Sequence, residues 1–246
     1  MRGSCLCGSV EFEVALPLRP VILCHCTQCR KTSGHVWAAT SVPHSAFRLV
    51  ADAGLVWYRS SVAAQRGFCK ACGASLFWWP DGQDTMHFAP GALNGPTGLH
   101  VAESWHEADA GDYYTTPPVH VETLHGNCLC GANRFSMDGP MGEVTACHCG
   151  QCRKLSGHFA ASFDVDEAAL HWQSRRTAEY QTPGGGQRGF CTDCGSSLYF
   201  RMGRDFSVEA GAVDNPTGGH LARHIFCADK GDYYDLTDGL PQSAQA

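Results

Sequence analysis

Three cysteine motifs occur twice in this chain, in the same order, and that repetition restricts its fold more than any other feature. GSCLCGSVEF from Gly3 returns as GNCLCGANRF from Gly126, and CHCTQCRKTSGH from Cys24 returns as CHCGQCRKLSGH from Cys147, each 123 residues on. QRGFCKACGASLF from Gln65 is answered by QRGFCTDCGSSLY from Gln187. PTGLH and GDYY (Pro96, Gly111) are answered by PTGGH and GDYY (Pro216, Gly231), where the offset has drifted to 120. A near-constant offset of this length marks duplication of a whole domain, since solenoid repeats are far shorter. Paired prolines in YTTPPVHVETLHG, between Tyr114 and Gly126, place the boundary there. The expected domains are 1–118 and 119–246, and the tail after Leu236 reads as a frayed terminus.

The 246 residues suffice for two domains of ordinary size, and a hydrophobic content of 43% against 17% charged residues is that of a chain that buries a core. A formal charge of −6 without a long basic run argues against nucleic acid or an anionic membrane as partner. No apolar stretch approaches the ~20 residues of a membrane helix. The N-terminus lacks the apolar middle of a signal peptide, so a cytoplasmic location is expected.

Short runs with partial alternation predict a mainly β fold: SVEFEVAL, HVWAATSV, LVWYRS and SLFWW in the first copy, and NRFSM, HFAASFDV, LHWQS, AEYQT and SLYFR in the second. SRRTAEY and the segment after CHC are the two places where a short helix is open.

Fourteen of the fifteen cysteines divide evenly, seven per copy, as CxC, CxCxxC and CxxC. Clustered thiols in a reducing compartment read as metal ligands or redox centres. Seven is one short of two four-cysteine sites, so the economical partition is one four-thiolate and one three-thiolate site. CxxC aims two sulfurs at one point, and its natural partner is CxC. That predicts a closed, structural zinc site at Cys5, Cys7, Cys69 and Cys72, and its twin at Cys128, Cys130, Cys191 and Cys194. The triads Cys24, Cys26, Cys29 and Cys147, Cys149, Cys152 would hold a second zinc each, up to four per chain. Three protein ligands leave an open position of the catalytic kind, suited to a soft thiol. Arg30 and Lys31, repeated as Arg153 and Lys154, could attract the carboxylates of an acidic thiol, or be solvated surface charge. The triads could instead be closed by His25, His148 or a distant histidine, or form metal-free disulfides. His35 and His158 are open to a structural or a catalytic role, and Cys227 reads as an unshared packed thiol. No GxSxG, P-loop or strand-following GxGxxG is present, and PGGGQRG from Pro183 reads as a loop.

The order CLCG, CHCxxCRKxSG, RGFCxxCGxxL and then P-x-x-x-H resembles the glutathione-dependent formaldehyde-activating family, also called the GFA or CENP-V domain, over nearly all of both copies. The resemblance implies two tandem β-tent zinc domains, with a structural zinc at the CxC and CxxC pairs and a second zinc at the triad where the sulfur of glutathione binds. It implies a carbon–sulfur lyase-type activity that joins glutathione to an aldehyde, with His35 or its counterpart available to stabilise the alkoxide. The chain departs from the family in being a tandem and in ending each copy with GDYY. A larger electrophile or glutathione adduct as substrate, and an internal pseudo-dimer, are then expected. The competing expectation is a non-catalytic zinc module that binds glutathione or a protein partner.

Overall fold

The computed structural model describes residues 1–246 and is mainly β, with the same pair of sheets built twice. In the first copy, Arg2–Ser4, Glu11–Val14 and Phe47–Ala51 form a three-stranded antiparallel sheet. A seven-stranded sheet follows in the order Val101–Trp105, Val21–Cys24, Trp37–Pro43, Thr85–Phe88, Ser75–Pro80, Ala64–Cys69 and Leu55–Ser61. Its pairs are antiparallel except the one between Val101–Trp105 and Val21–Cys24. The second copy repeats both sheets, with Thr123–Asn127, Arg134–Asp138 and His171–Ser174 in the smaller one.

Period-two patterning produces the cores. In Glu11–Val14, Phe12 and Val14 are buried while Glu11 is exposed. Phe12 meets Phe77 and Phe88 at centroid distances of 5.3 and 5.5 Å in edge-to-face geometry, joining the two sheets. A separate, larger core in the second copy gathers Phe135, Val144, Leu198, Tyr199 and Val208.

Two seven-residue helices are present: α1 (Thr27–Ser33) and α2 (Gly150–Ser156). Each starts directly after the second cysteine of CxCxxC and ends at a glycine with φ 86°, Gly34 or Gly157, whose N–H caps the carbonyl of Arg30 or Arg153. The segment after CHC is therefore helical, as its sequence permits. SRRTAEY is not: its second half belongs to the strand Thr177–Gln181, paired with Gln187–Cys191. A stretch of seven residues gains too little from its own hydrogen bonds to resist a sheet that offers a full ladder.

The two copies grip each other reciprocally. Gly91 N–H donates to Gly157 O at 3.0 Å, and Gly211 N–H donates to Gly34 O at 2.7 Å. Asp232 accepts from Thr97 and Gly98, while Asp112 accepts from Thr217. The last turn of each helix is thus packed on a short 3-10 turn of the other copy, Pro90–Ala92 or Ala210–Ala212. A Cβ on Gly211 would stand 2.5 Å from Arg30 O and 2.6 Å from Gly34 C, both backbone atoms that cannot swing away. Gly211→Ala should therefore cost about 1–3 kcal/mol in denaturant unfolding. Gly184→Ala, with nothing within 4 Å of the added Cβ, should be neutral. Equal midpoints for the two variants would show that the contact between the copies does not hold the fold.

Candidate metal centres and cleft

Four groups of sulfurs converge, and in each every Sγ lies within 4.8 Å of the others. Two contain four cysteines: Cys5, Cys7, Cys69, Cys72 and Cys128, Cys130, Cys191, Cys194. The turn after Arg2–Ser4 supplies the CxC pair, and the end of Ala64–Cys69 with its following turn supplies the CxxC pair. Cys5 and Cys7 Sγ are 3.5 Å apart, and Cys7 and Cys69 Sγ 3.7 Å, with equal values in the second copy. A tetrahedral zinc with Zn–S of about 2.3 Å needs its sulfurs about 3.8 Å apart, whereas a disulfide needs about 2.05 Å. The donor set therefore fits a tetrahedral metal and fits no disulfide. Outer donors favour thiolate: Val10 and Asn133 N–H point at Cys5 and Cys128 Sγ at 3.3 and 3.2 Å, and the Ser9 hydroxyl lies 3.1 Å from Cys7 Sγ.

The other two groups are the triads Cys24, Cys26, Cys29 and Cys147, Cys149, Cys152. In each, a strand ends at the first cysteine, the second is the N-cap of α1 or α2, and the third sits buried within the first helical turn. Crowding draws protons off one sulfur: hydrogen bonds from Cys24 and Cys29 pull the Cys26 thiol well below its usual range, and Cys147 and Cys152 do the same to Cys149. Behind each triad stands an arginine. Arg66 Nη2 reaches Cys29 Sγ at 3.4 Å, and Arg188 Nη2 reaches Cys152 Sγ at 3.5 Å. Neither arginine was expected from the sequence. Their signal was the unchanged QRGFC in both copies, where the cysteine drew attention from the arginine two places before the phenylalanine.

Other expected site residues lie elsewhere. Arg30 and Lys31 are 4% and 3% exposed, so neither is solvated surface charge. Lys31 Nζ donates to Ala212 O at 2.7 Å and Asp214 at 2.6 Å, and Arg30 Nε donates to Asp109 O. Lys154 Nζ bonds Ser4 and Asn94 of the first copy at 2.9 and 2.8 Å. Arg153, half-buried, leaves its Nε without a partner. The lysines that looked like carboxylate anchors are thus occupied in joining the copies.

The histidines within CHC turn away from the sulfurs. His25 bonds the Tyr114 hydroxyl and Ser104, and His148 bonds the Tyr234 hydroxyl and His224 Nδ1, whose Nε2 in turn meets Asp238 at 2.8 Å. With both ring nitrogens engaged, neither closes its triad. His35 and His158 meet Tyr113 and Tyr233 hydroxyls at 2.6 and 2.9 Å. Burial depresses both, His35 to about 3, and keeps both rings neutral. Together with Tyr113, Tyr114 and Tyr234 they line a cavity of about 690 Å³ between the copies.

The first triad opens instead into a cleft of about 480 Å³, walled by Trp37, Trp78, Trp105 and Ile22 with Arg19, Arg66 and His87 among them. Burial, aided by Arg19, pushes His87 down to about 4 and keeps it neutral. At the rim His106 has φ 58°, and Phe226 has φ 56° at the matching place in the second copy, a strained conformation for side-chain-bearing residues.

The family of glutathione-dependent formaldehyde-activating enzymes matches residues 1–108 and 123–229. The chain belongs to this family. A Halomonas elongata protein that carries the family name in provisional form is 33% identical over 94 residues, 33% of this chain and 59% of that protein. A Schizosaccharomyces pombe protein named as an uncharacterized lyase is 28% identical over 75 residues, 30% of this chain and 55% of that protein. The chain thus spans somewhat over half the length of these relatives. A solved Rhodobacter sphaeroides structure is 26% identical, covering 42% of this chain and 99% of that one, with a TM-score of 0.34. No helix of the family member described here is long and apolar enough to cross a membrane.

One group has no counterpart in the first copy. Glu209, at the place of Ala89, is 2% exposed and bonded to Ser197 through one oxygen, while Oε2 has no partner. Burial raises its carboxyl to about 7, against the lowering influence of Arg188 and Ser197. Between its unfolded value of 4.5 and about 7 the folded chain holds a proton that the unfolded chain has released, so this group loses the fold stability as pH rises. Unfolding of Glu209→Gln compared with the parent should therefore shift in favour of the variant by roughly 1 kcal/mol between about pH 6 and about pH 8.5. A pH-independent difference would contradict a buried, proton-holding Glu209.

Proposed function

We propose that this chain is a glutathione-using carbon–sulfur lyase-type enzyme, forming, breaking or rearranging adducts between glutathione and an aldehyde or similar electrophile. Zinc would be held at all four sulfur groups, structurally by the four-cysteine sets and with a free position at the triads. The observation that carries the reading is a three-sulfur group at the wall of a walled cleft, beside four-sulfur groups that need no further ligand. Family membership supports it, and so do the names of the two relatives.

When bound at a triad, zinc would supply a Lewis acid that keeps an incoming thiol deprotonated. The chain's own residues do the rest. Arg66 and Arg188 set positive charge against the crowded thiolates. Trp37 and Ile22 narrow the first cleft against water, and neutral His87 offers a hydrogen-bonding edge within it. In the forward direction the glutathione S–H proton is lost, the sulfur forms a bond to the carbonyl carbon, and the C=O π pair becomes an alkoxide that takes a proton. Cleavage is the reverse. Thiols add to formaldehyde unaided, so activity is read as acceleration over the buffer reaction. The two copies would act as an internal pseudo-dimer, each bracing the other's helix.

Cys26→Ser combined with Cys149→Ser should remove the acceleration of glutathione–formaldehyde exchange, followed by NMR, while the circular dichroism and unfolding midpoint stay near those of the parent. If the double variant unfolds, the triads are structural and the enzymatic reading fails.

A further inference from the structure

The two triads keep identical ligands and identical arginines, but their surroundings differ at matched positions. Trp37 pairs with Cys24 across the sheet, and the residue paired with Cys147 in the same way is Ala160. On the other side of Cys24 the paired residue is Trp105, and beside Cys147 it is Ile225. Trp78 faces Arg66 and pairs with His87, whereas Phe200 faces Arg188 and pairs with Ser207. Three tryptophans and a histidine around the first triad thus become alanine, isoleucine, phenylalanine and serine around the second.

The first cleft is also large for a one-carbon aldehyde. At about 480 Å³ it falls in the range that holds drug-sized molecules. Flat indole walls favour offset or edge-on contact with another aromatic ring. Trp78 already makes such a contact with His87, with centroids 5.0 Å apart at 68°. Trp78 is only half-buried and Trp105 is 48% exposed, so both have ring surface left to offer. Arg19, tied to Ser41 and to Ala39 O through Nε and Nη2, brings a guanidinium to the same walls.

We infer that the first copy's cleft selects an electrophile carrying a flat aromatic group, stacked against Trp78 and Trp105 while its glutathione sulfur lies at the Cys24–Cys26–Cys29 triad, and that the second copy has no such selectivity. This rests on the glutathione reading above and adds the substrate class and the copy that takes it. Trp78 and Trp105 are then the specificity-determining residues.

Calorimetric titration of the full, zinc-loaded chain with S-benzylglutathione and S-methylglutathione tests both levels separately. The benzyl derivative should bind at least about tenfold more tightly, a step equivalent to one stacked ring. Trp78→Ala should erase that preference, and Phe200→Ala should keep it. Trp105→Ala, at the exposed rim, should weaken it and serves if Trp78→Ala does not fold. Equal affinity of the parent for the two derivatives, or a preference lost in Phe200→Ala and kept in Trp78→Ala, overturns the aromatic assignment while leaving glutathione binding intact. If neither derivative nor glutathione itself binds, both the glutathione reading and this inference fall.

Discussion

The structure depends on the seating of each short helix in the opposite copy. A helix of seven residues is marginal alone, yet α1 and α2 must hold two of the three sulfurs of each triad in place. They are fixed from outside: Gly34 and Gly157 carbonyls accept from Gly211 and Gly91, and Lys31 and Lys154 end among carbonyls and side chains of the other copy. A buried ammonium is costly unless its donors are satisfied, so Lys31, with Ala212 O and Asp214 around it, specifies one seating. Duplication is thus part of how the triads are held, since each copy supplies the other's socket.

Within that frame the thiolates fall into two tiers with different surroundings. The four-sulfur groups tie the first strand of each copy to a later turn, with amide and hydroxyl donors around them. The three-sulfur groups lie where a strand becomes a helix, backed by one arginine, with the first open to a cleft. Closed geometry suits a metal that stabilises a fold, and an open position suits one that meets a ligand. The two triads then diverge in their walls and in one buried carboxylate, Glu209, while their ligands stay the same.

What could be read from the sequence was whatever short spacing encodes. The division of cysteines into four and three follows from motif spacings of two to five residues, and the sulfurs do converge in those sets. Strands such as Trp37–Pro43 and Ser197–Met202 were legible because aromatic and β-branched residues cluster in them. SRRTAEY left a helix open beside the strand reading of AEYQT, and pairing with Gln187–Cys191 decides for the strand. The lysines of CRKxSG misled: the partners of Lys31 lie 181 and 183 residues away, a distance no local pattern reports. Tyr113, Tyr114 and Tyr234 of the GDYY segments line the cavity between the copies and not the first cleft, and the tryptophan walls become visible only once register sets Trp37, Trp78 and Trp105 around one triad.

The central claim is that every sulfur group holds a metal and that only the triads leave a position open. Zinc per chain, measured on protein purified without chelator or added thiol, tests it most directly. The account predicts four per chain, with two of them changing their sulfur coordination, read by X-ray absorption, when glutathione is added. A value of two, unchanged by glutathione, would mean that only the four-cysteine groups bind metal and would contradict it.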